Sequence, residues 1–238
     1  MFERAHHRDI ALILQALDPA ALAARQCWFG GGTAMVLRHG EYRESADIDF
    51  LVSHIAGYRD LRQSLGGPAG LGPIVRSGMT LELAREVRAD QYGIRTLVRA
   101  GGSIIKLEIV SEGRLALDPP GPDDAVCGVR TLTPLDMAAG KLLANADRWA
   151  DDAVQSRDLI DLAMLPVPTQ CLRAARVKAE GAYGGAVMQS LHAAIEHLRK
   201  RPRRLDQCMA GLSMGGITPA QLWQAIRRLR RALGPPGP

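Results

Sequence analysis

The sequence predicts an α+β chain in which a mixed α/β half, a sheet with helices, is followed by an all-helical half. Three observations carry this. Strand signals fall only between Cys27 and Val110, a proline-rich loop at Asp118–Asp124 closes that half, and every periodic segment after Thr133-Pro134 has helical spacing. The pattern predicts a first domain at 1–130, a helical domain at 131–233 and a frayed tail at 234–238. A chain of 238 residues is long enough to bury a sizeable core in one large domain or two smaller ones.

The elements follow in order. Ile10, Ile13, Leu14 and Leu17 recur at helical spacing, so residues 6–24 open as an amphipathic helix that Pro19 ends or restarts. Cys27-Trp28-Phe29 reads as a short strand running into Gly30-Gly31-Gly32-Thr33, and Ala34 to His39 as a helical segment entered from that turn. Asp47 to Val52 is a strand by its β-branched and aromatic content. Residues 57–65 fit a helix, and Gly66 to Pro73 is rich in breakers. Ile94 to Arg99 and Ser103 to Val110 flank Gly101-Gly102, a pair that suits a primed hairpin turn because that turn needs positive φ. Thr133-Pro134 has the form of an N-cap with proline at the first helical position. Helical patterns follow at 134–149, 155–165, 169–180, 184–200 and 219–233, and no internal repeat is present.

Composition narrows the function classes. A hydrophobic fraction of 47% and a charged fraction of 23% are those of an ordinary globular protein. Aromatics at 4% argue against a single-strand binder built on stacking platforms. The net charge of +5 favours a polyanionic partner. Cys27, Cys127, Cys171 and Cys208 form no CxxC pair and read as free thiols of a reducing cytoplasm. The six histidines form no HExxH or similar ligand set, which argues against zinc. The first 14 residues lack a signal-peptide pattern, and no apolar run approaches the roughly 18 residues of a membrane span, so no membrane partner is expected.

The candidate chemistry lies in Gly31-Gly32-Thr33 and Ser45-Ala46-Asp47-Ile48-Asp49. Side chains at i and i+2 of a strand share a face, so Asp47 and Asp49 project together while Ile48 and Phe50 turn inward. Two adjacent carboxylates repel, and a divalent cation with a preference for hard oxygen ligands relieves that; magnesium fits, and it recruits substrate phosphates. In Ser103 to Val110, Ile105, Leu107 and Ile109 share one face and Lys106 and Glu108 the other. If that strand lies beside the Asp47 strand, Glu108 joins the site. Three carboxylates can hold two metals about 3.5–4 Å apart for in-line phosphoryl transfer. Gly31 and Gly32 let the backbone approach a phosphate, the next helix points its N–H groups at the anion, and Thr33 and Ser45 can donate hydroxyls. Each part alone has a plainer reading: DxD as a solvated strand face, Gly-Gly-Thr as a turn, Glu108 as a surface residue.

These residues resemble the nucleotidyltransferase superfamily of the DNA polymerase β type: Gly-Gly, a short helix, Asp-x-Asp, then a third acid on a later strand. Within it the chain is most similar to the AbiEii/AbiGii toxin family. Lys141 to Arg148 resembles that family's Lys-x-x-Ala-x-x-x-Arg motif, and Arg157-Asp158-Leu159-Ile160-Asp161 its Arg-Asp-x-x-Asp motif. The resemblance covers roughly residues 26–165. The departures are a 14-residue stretch between Gly32 and Asp47 and glutamate as third acid.

The resemblance implies an N-terminal nucleotidyltransferase-fold domain and a toxin-like enzyme moving a nucleoside monophosphate from an NTP to an acceptor such as tRNA. It implies Mg2+ (two ions, with Mn2+ as a substitute) on Asp47, Asp49 and Glu108, and a cognate antitoxin or phage-defence setting. It also implies that Lys141 contacts the triphosphate and that Asp158 orients Lys141 or acts near the nucleotide. Lys141, Ala144 or Asn145, and Arg148 share one helix face. Arg157 and Asp161 fit either the site or an interhelical ion-pair cluster. The clusters Arg199 to Arg204 and Arg227 to Arg231 fit either RNA phosphate contacts or solvated helix ends. Two rivals stay open: transfer to a protein hydroxyl or a small molecule, and a non-catalytic nucleotide-binding module.

Overall fold

The structure, a computed structural model, describes residues 2–235. The last three positions of the expected tail, 236–238, lie outside the described residues. The fold is α+β, with a mixed five-stranded sheet and ten α-helices among the described residues. The chain forms two compact units. One comprises the described residues up to Glu41 together with Ser45–Thr133; the other comprises Tyr42–Glu44 and the described residues from Pro134 onward.

The first unit contains α1 (Ala5–Ala16), α2 (Pro19–Ala23), β1 (Trp28–Gly30), α3 (Gly31–Arg38), β2 (Ile48–Val52), α4 (Ile55–Leu65), β3 (Glu82–Ala89), β4 (Gly93–Ala100), β5 (Ser103–Ser111), β6 (Ala125–Val126) and β7 (Val129–Arg130). Pro19 restarts the helix, with the Asp18 carboxylate accepting from the Ala20 and Ala21 amides. The main sheet runs β1-β2-β5-β4-β3, with β2 and β5 parallel and every other pair antiparallel. Ile48, Phe50, Ile105, Leu107, Ile109, Ile94 and Val98 are fully buried on one sheet face. α1 packs against β4 and β5, with Ile10, Ile13 and Leu14 fully buried. Burial of this apolar face fixes the register, because a one-residue slip would turn every inward side chain outward.

Sequence reading left β3 out. Its residues Glu-Leu-Ala-Arg-Glu-Val-Arg-Ala do not alternate cleanly, and the reason is positional: β3 is an edge strand whose register against β4 shifts twice. An edge strand buries little, so it carries charges where a central strand carries isoleucine.

The second unit contains α5 (Pro134–Arg148), α6 (Arg157–Met164), α7 (Thr169–Tyr183), α8 (Ala186–Lys200), α9 (Arg204–Gly211) and α10 (Pro219–Leu233). α5 packs against α6, α7 and α8, and α10 covers α6 and α7. α10 opens with a capping box between Thr218 and Gln221. α9 is short and follows a basic run, and periodicity did not reveal it. Among the described residues no helix is long and apolar enough to cross a membrane. All four cysteines are free thiols.

Three residues from the stretch between α3 and β2 complete this second core. Tyr42 donates its hydroxyl to Asp161 at 2.8 Å, and Arg43 grips the same carboxylate through Nε at 2.7 Å and Nη2 at 2.8 Å. The Glu44 amide donates to the Leu212 carbonyl at 2.9 Å. Lys141 adds a second cation to Asp161 at 2.7 Å. Asp161 is fully buried, and burial alone would raise its pKa; Lys141 and Arg43 overcome that and hold it below the usual carboxylate range.

Asp161→Ala should therefore lower the unfolding free energy by about 3–5 kcal/mol, because it strands buried cations. Urea denaturation reads this directly, and a loss under about 1 kcal/mol contradicts it. A depressed folded pKa confers stability that is complete above the ordinary carboxylate pKa near 4 and is lost as pH falls below it. Wild-type stability should thus drop steeply on acidification, and more shallowly in Asp161→Ala.

Candidate active site

The sheet register assembles the first group of candidate residues. β1 sets Gly30 opposite Asp49, the parallel β2–β5 pair sets Asp49 opposite Glu108, and β4 sets Arg95 opposite Glu108. Residues opposite one another point to the same side, so Asp49, Glu108 and Arg95 stand in one row on the outer face. Their neighbours Ile48, Phe50, Leu107 and Ile109 point the other way into the core. Asp47 lies one residue before β2 and is exposed.

Gly31 closes against this row. Its φ is +67°, and a Cβ there would lie 2.5 Å from Asp49 Oδ2. Both facts require glycine: the backbone is left-handed and the Asp49 carboxylate occupies the space a side chain would take. α3 begins at this residue with no side-chain cap, so its first-turn N–H groups are not satisfied by a capping side chain. They are the part of the site suited to an anion.

Lys106 and Arg95 balance the acids. Glu108 Oε1 accepts from Arg95 Nε at 2.6 Å, and Oε2 accepts from the Lys106 ammonium. Burial pushes the Glu108 pKa up, but Lys106 and Arg95 hold it below its ordinary value, so the group is ionised. The Lys106 pKa is raised, first by its bond to Glu108 and, against the effect of burial, by the charges of Glu108, Asp49 and Asp47. One ammonium thus feels all three carboxylates.

A divalent cation fits part of this set. Among the described residues no three acidic, histidine or cysteine side chains are arranged to hold a metal ion ready-made. Magnesium needs only one or two carboxylates when waters and substrate phosphates complete its shell, and Asp47 and Asp49 are of that chemistry. Glu108, the expected third ligand, has both oxygens engaged by Arg95 and Lys106.

Thr33 and Ser45 lie beside these groups, with their hydroxyls committed to one another. Thr33 Oγ1 donates to the Asp47 carbonyl at 2.5 Å, which leaves Ser45 Oγ to donate to Thr33 Oγ1 at 2.8 Å. Behind them stands His7, which sequence reading did not single out. It is fully buried; Nδ1 meets Glu41 Oε1 at 2.7 Å, and Nε2 meets the Ser45 amide at 3.2 Å. An amide can only donate, so Nε2 is the acceptor and His7 is neutral with its proton on Nδ1. Burial, outweighing Glu41, keeps the His7 pKa below its ordinary value. Glu41 in turn accepts from the Glu3 and Arg4 amides. The chain Glu41–His7–Ser45–Thr33 therefore braces the segment that presents Asp47. No motif marks it, because its members are 34 and 38 residues apart in sequence.

The second group gathers inside the helical unit. Lys141 Nζ lies 2.9 Å from Asp158 and 2.7 Å from Asp161, and Arg148 grips Asp158 through Nε at 2.7 Å and Nη2 at 3.0 Å. Lys141 is only 7% exposed. Lys141 and Arg148 overcome burial to keep the Asp158 pKa well below the carboxylate range. The Asn145 amide nitrogen is buried there without a hydrogen-bond partner among the described residues. Arg157 makes no ion pair among them, so of the two residues read as ambiguous only Asp161 enters the cluster. Arg43 and Tyr42 join this network from far away in sequence and were not foreseen.

Comparison with known proteins adds to the geometry. The family model described as nucleotidyl transferase AbiEii toxin, type IV toxin–antitoxin system, matches residues 12–227. No curated protein matches the chain. A Helicobacter pylori protein described as a candidate nucleotidyltransferase superposes with a TM-score of 0.53 at 18% identity, covering 98% of this chain and 97% of that one. The Helicobacter pylori protein JHP933 superposes with a TM-score of 0.51 at 16% identity, covering 98% and 95%. At such identities the two structures speak for the fold alone.

His7→Ala should speed hydrogen exchange of the Ser45 amide by about tenfold, the equivalent of one net hydrogen bond. The same amide in wild type should be well protected above pH about 6.5 and lose protection as pH falls and His7 is protonated. Unchanged exchange in the variant contradicts the brace.

Proposed function

Because the chain belongs to the AbiEii nucleotidyl transferase toxin family of type IV toxin–antitoxin systems, we propose that it moves a nucleoside monophosphate from an NTP to the terminal hydroxyl of an RNA acceptor, tRNA being the candidate. The observation that carries this reading is the register that sets Asp49 beside Glu108 on the face where Gly31 closes. The setting is that of a toxin with a cognate antitoxin, and phage defence is the role such a pair would serve.

In the proposed reaction the acceptor hydroxyl gives its proton to solvent as its oxygen bonds to the α-phosphorus, the bond from that phosphorus to the α,β-bridging oxygen breaks, and pyrophosphate departs with the electron pair of that bond. Asp47 and Asp49 would hold Mg2+, with Mn2+ as a substitute, and the bound ion offsets phosphate charge. The α3 amides and the Gly31–Gly32 turn take a phosphate. Thr33 and Ser45 keep Asp47 in place. Lys106 and Arg95 hold Glu108 ionised and aligned; for Glu108 to serve as a third metal ligand, Lys106 must swing from it to a phosphate oxygen. Asp158 orients Lys141 and Arg148, the two cations assigned to the nucleotide.

Incubation with NTPs labelled at the α-phosphate tests this. Wild type should place label on RNA in the presence of Mg2+, and Asp49→Ala should transfer at least a hundredfold less while keeping its circular dichroism, since removing one of several close acids relieves repulsion. Label on protein or on a small molecule moves the acceptor class. Equal transfer by Asp49→Ala overturns the assignment of the acids.

A further inference from the structure

On the outer face of the β3–β4 hairpin only Arg95 takes part in the proposed nucleotide site, through Glu108. The register sets Arg99 opposite Glu82, Leu97 opposite Arg85 and Arg95 opposite Arg88. The intervening β4 residues Ile94, Thr96 and Val98 are buried, so these pairs all point outward, away from the core. Arg85, Arg88 and Arg99 are exposed. Arg85 and Arg88 have no ion-pair partner among the described residues. Arg99 meets only Glu82, at 3.1 Å, with the two side chains 51% and 73% exposed, a surface pair that leaves the arginine available. The only acids on the two strands are Glu82 and Glu86, against four arginines.

This basic face continues the acidic row. Asp49, Glu108, Arg95 and Arg88 sit on successive strands β2, β5, β4 and β3. Strands lie about 4.8 Å apart, so Arg88 stands roughly 14 Å from Asp49. Apolar and aromatic surface lies beside the arginines: Ile104 is opposite Arg99 and 52% exposed, and Tyr92, in the β3–β4 turn, is 68% exposed. Unpaired arginines with neighbouring exposed apolar and aromatic groups suit phosphates and unstacked bases.

In the C-terminal basic clusters Arg201 and Arg204 pair with Asp152, and Arg199 and Arg230 with Glu196, while Lys200, Arg203, Arg227, Arg228 and Arg231 make no ion pair among the described residues. Those clusters belong to the helical unit, whereas the β3–β4 face is part of the sheet that carries Asp49.

We infer that the outer face of β3–β4, through Arg85, Arg88 and Arg99, binds the phosphate backbone of a single-stranded nucleic-acid acceptor whose reactive end reaches Asp49. This rests on the transferase reading above and names where its acceptor lies. The arginine row supplies the attraction that three carboxylates at the reaction centre would otherwise deny a polyanion. A charged edge strand also discourages sheet-to-sheet association, but that purpose does not require two outward arginines without ion-pair partners.

The test uses the full chain, a fluorescent single-stranded oligoribonucleotide and anisotropy over a salt series. Arg85→Glu/Arg88→Glu should weaken binding at least tenfold, and the milder Arg85→Gln/Arg88→Gln should reduce the slope of log affinity against log salt by about 1.4, two charges on a single strand. Both positions are exposed, so the melting temperature should hold, and its rise with Mg2+ and a non-hydrolysable NTP should match wild type. Unchanged RNA affinity in both variants overturns the inference, as does loss of affinity only when Arg203→Glu/Arg204→Glu is made. Loss of binding to a partner protein with RNA affinity intact overturns it in favour of a protein docking face. A wild type whose melting temperature does not respond to Mg2+ and NTP strikes the transferase reading instead, whatever the RNA arm shows.

Discussion

Everything at the candidate site depends on the parallel pairing of β2 with β5. Two strands distant in sequence are held in one register by Ile48, Phe50, Leu107 and Ile109, which are fully buried. That apolar packing forces Asp49 and Glu108 side by side on the opposite face. Like charges at neighbouring positions are destabilising, and the protein offsets them with Lys106 and Arg95 rather than by burying one acid neutral. The hydrophobic effect thus sets the geometry, and electrostatics follows. Among the described residues no cationic side chain is bonded to the exposed Asp47 carboxylate.

The stretch from Gly40 to Asp47 carries two duties. Tyr42–Glu44 belongs to the helical unit, fastened by Asp161, while Glu41 and Ser45 belong to the sheet unit and meet at His7. Asp161 is the clearest case of a motif residue with a structural employment: Tyr42, Arg43 and Lys141 all converge on it. Asp158, held by Lys141 and Arg148, is of the same kind.

Much of the sheet unit was legible in the sequence because its residues obey local rules. The i, i+2 alternation turned Ile48 and Phe50 inward and set Lys106 and Glu108 on one face, while Asp49 beside Glu108 depended on the two strands being neighbours, which the register supplies; Gly101-Gly102 predicted the β4–β5 turn, where Gly101 has φ +54°. β3 escaped because an edge strand with two register shifts has no apolar alternation to read. Lys106 was visible beside Glu108, but its bond to that acid depends on side-chain reach. His7 and Arg43 were invisible for a different reason: each acts across more than 30 residues of chain, and a lone buried histidine or arginine leaves no periodic mark. The grouping of Lys141 with Asp158 and Asp161 was suggested by family resemblance and helical spacing; the completion of that group by Tyr42 and Arg43 required the fold.

The account stands on Asp47 and Asp49 as a cation site that a nucleotide completes. Water-proton relaxation enhancement by Mn2+, titrated with and without a non-hydrolysable nucleoside triphosphate, measures that site directly. The prediction is weak Mn2+ binding alone, binding at least tenfold tighter with the nucleotide, and loss of both in Asp47→Asn/Asp49→Asn. Nucleotide-independent Mn2+ affinity, or an enhancement that survives in the double variant, contradicts it.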